Sequence, residues 1–300
     1  MSSNLELREV RKAYGNFVAV DGVSLAVPPG SVFGLLGQNG AGKTTSIRMI
    51  MDILAPDSGE VLLFGRPRRP EDLRRVGYLP EERGLYRKMT VVDHLLFFAE
   101  LHGLERRTAT KRIAEWLDRV ELGSWAKAKV EALSKGMQQK IQLVGTILHD
   151  PDILILDEPF SGLDPIAQVL FKDLIADFKA RGKTILFSTH ILEQAEKLCD
   201  HICLVSHGEV VLAGELAALK RERGGNVYRL ATSADKSRVA SVAGIAEVLD
   251  QPSGLRLVLA PGAEPSAVLR ALVEQVDVTD FRSEVPDLET LFIQAVRHAN

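Results

Sequence analysis

Two stretches of this sequence carry residue types spaced for phosphate chemistry. Gly37-Gln38-Asn39-Gly40-Ala41-Gly42-Lys43-Thr44 fits the pattern G-x-x-x-x-G-K-[ST] without a mismatch. Glycines let the backbone approach a polyphosphate, and successive N–H groups with a helix N-terminus supply positive potential. Lys43 is placed to reach the β- and γ-phosphates, and the Thr44 hydroxyl to ligate Mg²⁺. A chance match in a chain of this composition has odds of about one in a hundred. The second stretch is Ile153-Leu-Ile-Leu-Asp157-Glu158-Pro159, an apolar run ending in two carboxylates. Beside a phosphate loop, Asp157 suits the Mg²⁺ shell and Glu158 suits the polarisation of an attacking water.

These residues need a strand before each and helices around them. Val32 to Leu36 is the apolar run that leads into the loop, and Thr44 to Ile53 reads as the helix that follows it. Leu5 to Val10 and Phe17 to Val27 alternate around Tyr14-Gly15-Asn16 as strand, turn and strand. Glu60 to Phe64 reads as another strand. Arg66-Pro-Arg-Arg-Pro70 is a basic, proline-broken connection expected to be a solvated loop. Val91 to Leu104 and Thr108 to Leu122 carry helix-period apolar residues, and a further helix runs from Ser134 to His149. Asp150-Pro151 breaks that helix before the strand Ile153 to Leu156. A helix over Ile166 to Ala180 and a strand over Thr184 to Phe187 follow. Repeated helix–strand alternation predicts a parallel sheet covered by helices.

After Lys220-Arg-Glu-Arg-Gly-Gly225 the texture changes. Strands are expected over Val227–Thr232, Ala246–Leu249, Leu255–Leu259 and Val278–Arg282, with a hairpin turn at Pro252-Ser-Gly254. Helices are expected over Ala234–Val242, Ser266–Val276 and Leu288–His298. The order β-α-β-β-α-β resembles a small ferredoxin-like unit.

The 300 residues are 46% hydrophobic and 26% charged with a net charge of −3, as in an ordinary globular protein. From residue 225 onward there are seven basic and ten acidic residues, so this region holds the whole acidic excess. Neither balance favours nucleic acid as a partner. No apolar run approaches the roughly 18 to 20 residues that span a bilayer, and no secretory signal is expected. Cys199 and Cys203 flank His201, but the spacing is not that of a paired metal ligand, and two buried thiols are expected.

With these pieces in order, the chain resembles an ATP-binding cassette (ABC) ATPase, the nucleotide-binding subunit of an ABC transporter, over roughly residues 4 to 220. Gly37 to Thr45 is similar to the Walker A loop and Ile153 to Glu158 to Walker B. Leu133-Ser134-Lys135-Gly136-Met137 stands at the family signature, Ser161-Gly-Leu-Asp164 at the D-loop, and His190 at the switch histidine. Tyr14 falls where the family places an aromatic residue that stacks on adenine. The fold that the resemblance implies is an α/β P-loop NTPase of the ABC-ATPase type over residues 1–222. A helical signature subdomain would span about 88–150, with a small α+β ferredoxin-like domain over 225–300.

What it implies for function is ATP with Mg²⁺, bound in a head-to-tail dimer of like or unlike ATPase subunits. One protomer would supply Tyr14, residues Gly37, Gln38, Asn39, Gly40, Ala41, Gly42, Lys43, Thr44 and Thr45, and Mg²⁺ ligands at Thr44, Asp157 and Glu81. Glu158 and His190 would be catalytic. The other protomer would supply Ser134, Lys135, Gly136 and Met137, with Asp164 at the interface. Gln38 stands where the family has proline, Lys135 for its first signature glycine and Met137 for its signature glutamine. Glu81 stands where a glutamine is usual, and brings a negative charge beside the triphosphate. The expected partner is an integral-membrane permease on a separate chain, the expected place the cytoplasmic face of the membrane. The Glu284–Phe292 end resembles that of bacterial sodium- and drug-efflux ATPases, which implies export. A soluble ATPase acting on ribosomes or DNA, or an ATP-binding regulatory module without turnover, stays open. Nothing in the chain encodes the transported substrate.

Overall fold

In the computed structural model, residues 3–82, 84–224, 226–251, 254–284 and 286–299 are described. They divide into two compact units, residues 1–215 with 295–300 and residues 216–294. The division falls after Glu215, ahead of the composition break at 220–225, because the last strand of the first unit ends there.

The first unit opens with β1 (Leu5–Tyr14) and β2 (Phe17–Val27), a hairpin closed by the two-residue turn Gly15-Asn16, with Gly15 at φ +58°. β3 (Val32–Leu36), buried at every position, leads through the glycine loop into α1 (Lys43–Ile50). β4 (Ser58–Leu63) and β5 (Arg66–Pro67) complete an antiparallel sheet in the order β2-β1-β4-β5. After β6 (Val76–Leu79), the helices α2 (Val91–Leu101), α3 (Arg106–Arg119) and α4 (Lys135–Ile147) pack on a core of their own, which includes Leu95, Ile113, Leu117, Ile141 and Val144. Then come β7 (Ile153–Asp157), α5 (Pro165–Ala180), β8 (Thr184–Thr189), α6 (Leu192–Leu198), β9 (His201–Ser206) and β10 (Glu209–Glu215).

The second sheet has the order β10-β9-β3-β8-β7-β6, with β10 alone antiparallel to its neighbour. Strands β3, β8 and β7 therefore lie side by side and end together. The glycine loop, Thr189-His190 and Asp157-Glu158 leave from that one edge. Ligands of open parallel sheets gather at such carboxyl ends.

Several expectations shift. α1 stops at Ile50 rather than Ile53, since Asp52 has φ +59° and the Arg68 guanidinium donates to the Met49 and Ile50 carbonyls, closing the helix end. The basic connection is thus not simply solvated: Arg68 caps α1 and Arg66 forks onto buried Asp72. β6 and the β9–β10 hairpin were not legible as elements. β6 has only four residues, and β9–β10 turns at His207-Gly208, both with positive φ. Cys203 is buried within β9, whereas Cys199 is half-buried before it. Burial raises both thiol pKa values, that of Cys203 to about 12.

The second unit contains α7 (Leu216–Gly224), β11 (Val227–Thr232), α8 (Lys236–Ala240), β12 (Ile245–Gln251), β13 (Gly254–Leu259), α9 (Pro265–Gln275) and β14 (Val278–Ser283), and α10 (Leu288–Ala299) ends the chain. Its sheet is antiparallel in the order β12-β13-β11-β14, the ferredoxin-like arrangement that the element order implied. Leu230, Val248, Leu257, Leu259, Val268 and Leu272 form its core. The expected turn residues Pro252 and Ser253, and Gly225 and Val285 of the two quoted segments, lie outside the described residues.

Candidate functional site

The loop after β3 keeps its shape because glycine alone fits it at two points. Gly37 has φ +153° and a Cβ there would stand 2.3 Å from the Val205 carbonyl oxygen. Gly42 has φ +106° and caps α1, where a Cβ would meet the Ala19 carbonyl oxygen at 2.4 Å. The Ala41 N–H donates to Gln38 O at 3.1 Å, and the Ala41 carbonyl accepts from the Gly208 N–H at 3.2 Å, so the loop is also tied to the β9–β10 turn. Lys43 is buried. Its ammonium donates to Gly37 O at 2.7 Å and Gln38 O at 3.1 Å, and lies 3.3 Å from Glu158 Oε1.

The two carboxylates are held across the strand pair β7–β8. Asp157 stands opposite Ser188 in register, and the Ser188 hydroxyl donates to Asp157 Oδ1. The same hydroxyl accepts the Glu158 backbone N–H at 3.0 Å, at a residue whose φ of +48° is unusual for a side-chain-bearing residue. Glu158 Oε2 lies 3.0 Å from His190 Nδ1. Glu158 thus sits between a lysine and a histidine, 8% exposed. A carboxylate so placed, with its backbone pinned, is a suitable acceptor for a proton from water.

Asp157 is 1% exposed, and burial pushes its pKa up, against hydrogen bonds from Ser188 and Thr44 that lower it. The negative charge of Glu158 raises it further, and Lys43 lowers it. Asp157 Oδ2 is a buried oxygen with no hydrogen-bond partner in the protein. A hard cation beside that oxygen and the Thr44 hydroxyl would relieve both the burial penalty and the orphaned acceptor, so these residues fit Mg²⁺.

A cleft of about 290 Å³ joins Tyr14, Phe17, Ala19, Asn39, Gly40, Gly42, Lys43, Thr44, Thr45, Glu81 and Glu158. Tyr14 and Phe17 face each other across the β1–β2 turn and are 49% and 62% exposed. They offer two aromatic faces next to the loop. Glu81 also lines a neighbouring cleft with Thr44 and Asp157. Sequence reasoning missed Phe17 and Ser188. Phe17 was legible only as the strand start after the turn, and Ser188 only as a residue just past the expected strand end at Phe187, whereas β8 runs on to Thr189.

Ser134, Lys135, Gly136 and Met137 do not line that cleft. They begin α4, where the Ser134 hydroxyl caps the helix by accepting the Met137 N–H at 3.3 Å. Asp164 likewise caps α5, accepting the Ala167 N–H at 2.8 Å. A Cβ on Gly136 would lie 3.6 Å from Asp164 Oδ2, and Gln139 donates to Ser161 O at 2.8 Å, so these two stretches adjoin.

Comparison with known proteins shows the family. Residues 20–161 match the ABC transporter family, and residues 214–296 match the C-terminal domain of DrrA1-3-like ATP-binding proteins. An uncharacterized ABC transporter ATP-binding protein of Bacillus subtilis is 40% identical over 97% of this chain and 98% of its own. The Nod factor export ATP-binding protein I of Cupriavidus metallidurans is 40% identical over 72% of each chain. Among solved structures, an ATP-binding subunit of an ABC transporter superposes with a TM-score of 0.69 at 33% identity, covering 74% of this chain and 94% of that one.

Proposed function

Because this chain belongs to the family of ABC transporter ATP-binding subunits, which are ATPases, we propose that its hydrolysis of ATP drives export through a separate membrane permease. The observation that carries this reading is that Glu158 contacts both Lys43 and His190, and that Lys43 and Glu158 line a cleft shared with Tyr14 and Phe17. The loop N–H groups and Lys43 bind the β- and γ-phosphates, and the two aromatic rings receive the base. Glu158 takes the proton of the attacking water. His190 orients Glu158 through the Nδ1 contact. Thr44, Asp157 and Glu81 would hold Mg²⁺, which would supply positive charge to the phosphate oxygens.

Ser134 and Gly136, away from this cleft, suit a second copy or a related ATPase subunit, whose triphosphate would meet the α4 N-terminus. Asp164 would then stand at the interface of the two. No helix among the described residues is long and apolar enough to cross a membrane. The permease would hold the chain at the inner face of the cell membrane. Export is supported by the DrrA1-3-like C-terminal match and by the Nod factor export relatives.

Glu158→Gln tests the assignment. Turnover should fall about 100-fold or more while ATP still binds; activity near wild type would remove Glu158 from the reaction. Tagged Glu158→Gln protein, purified from detergent-solubilised cells with ATP and Mg²⁺, should bring down a multi-span membrane protein in stoichiometric amount. Recovery of ribosomes, DNA or no partner would overturn the transport reading.

A further inference from the structure

Gln142 lies on α4, two turns beyond the Ser134 cap, and is almost wholly buried. Its carboxamide nitrogen donates to Pro80 O at 3.2 Å and to Glu82 O at 3.2 Å, the carbonyls on either side of Glu81. One turn further on, the Thr146 hydroxyl lies 3.3 Å from Tyr78 O and 2.9 Å from Gln142 O, both acceptors for its proton. There is no slack between the two segments, since a Cβ on Gly77 would stand 2.5 Å from Thr146 O. The carbonyls of residues 78, 80 and 82 thus all face α4, while the Glu81 side chain lines both clefts beside Thr44.

We infer that Gln142 is the positioning residue for Glu81: its amide fixes the backbone on both sides of Glu81 to the helix that Ser134 begins. The inference rests on the reading that Glu81 faces the metal and the triphosphate. A primary amide has two N–H groups, and both are spent on this loop. Any displacement of α4 against the sheet is therefore passed to Glu81. The helix that offers Ser134 to one nucleotide sets the carboxylate beside another.

The test is Gln142→Met, which keeps the length of the side chain and removes both donors. Amide exchange of the segment 78–82 in nucleotide-free protein should rise about ten-fold, with α3 unchanged. The kcat for ATP should fall about five-fold and the half-saturating Mg²⁺ concentration should rise, with KM for ATP within about two-fold. In a Glu81→Gln background the same change should lower kcat by less than about two-fold, because the two residues act as one unit. Gln142→Glu, of equal size, replaces the Met variant if that fails to fold, and carries the same expectations. An equal kcat loss in both backgrounds would mean that Gln142 serves packing alone, and unchanged exchange over 78–82 would mean that it does not hold the loop. Either overturns the inference. If Glu81→Gln alone leaves kcat and the Mg²⁺ dependence untouched, it is the reading of Glu81 that fails, and the inference with it.

Discussion

The Ser188 hydroxyl on β8 donates to Asp157 on β7, so the metal-binding carboxylate proposed here is aimed by a residue of the neighbouring strand. The same oxygen accepts the N–H of Glu158, which holds that residue in its positive-φ conformation. One small side chain thereby sets both acids.

Ser188→Ala takes one of its hydrogen bonds from buried Asp157 and leaves the Glu158 N–H without the acceptor it has at this fully buried position. Unfolding in urea should show a loss of about 1 to 3 kcal/mol. The kcat should fall while KM for ATP stays close to wild type, because the base moves and the phosphate loop does not. A variant with lower stability but normal kcat would show that Ser188 supports the fold without aiming Glu158.

Phe17 should share the binding of the base with Tyr14. Its ring is exposed, lines the cleft and supports no core. Phe17→Ala is therefore expected to leave stability unchanged and to weaken ATP binding by roughly 1 to 3 kcal/mol, the worth of one stacked base. Calorimetric titration reads this directly, and an unaltered affinity would leave Tyr14 as the sole platform.

Acid should loosen the helical part of the first unit. Burial lowers the pKa of His94, packed against Phe98 and Tyr86, to about 4, and that of His149, stacked on His102, also to about 4. Both are neutral when folded and take up a proton near pH 6.5 when unfolded. The unfolded state then binds more protons between these values, so stability is lost as pH falls from about 6.5 toward 4. For His94, 1% exposed, the loss between pH 7 and 5 is roughly 2 kcal/mol. His94→Phe should flatten the pH dependence of the unfolding free energy in urea by that amount; an unchanged slope would place the titration elsewhere.

How much could be read from the sequence depended on whether a feature was local. β3 and β11 begin and end where their apolar or alternating runs do; β3 is buried at every residue, and β11 carries the one buried residue Leu230 in a β-rich run. The phosphate loop was legible for a similar reason: its glycines answer to steric limits within a few residues. Strand order was not legible locally, since it depends on pairing across the whole chain. Ser188 was missed on that account, as its meaning lies in a register with Asp157, 31 residues away. Phe17 was missed because an exposed aromatic in a strand looks like any other strand residue until the cleft is seen. Arg68 looked like solvated charge, and only the fold reveals the helix end that it closes.

The buried thiols have a practical corollary. Cys199 and Cys203 are the only cysteines in the chain, and burial keeps both protonated at neutral pH, the state in which sulfur reacts poorly. The protein is thus a nearly silent background for thiol reagents. A cysteine installed at exposed Ser161, beside the signature helix, would be the one reactive handle. Zero-length cross-linking between two copies would then report their approach, with no native cysteine removed first.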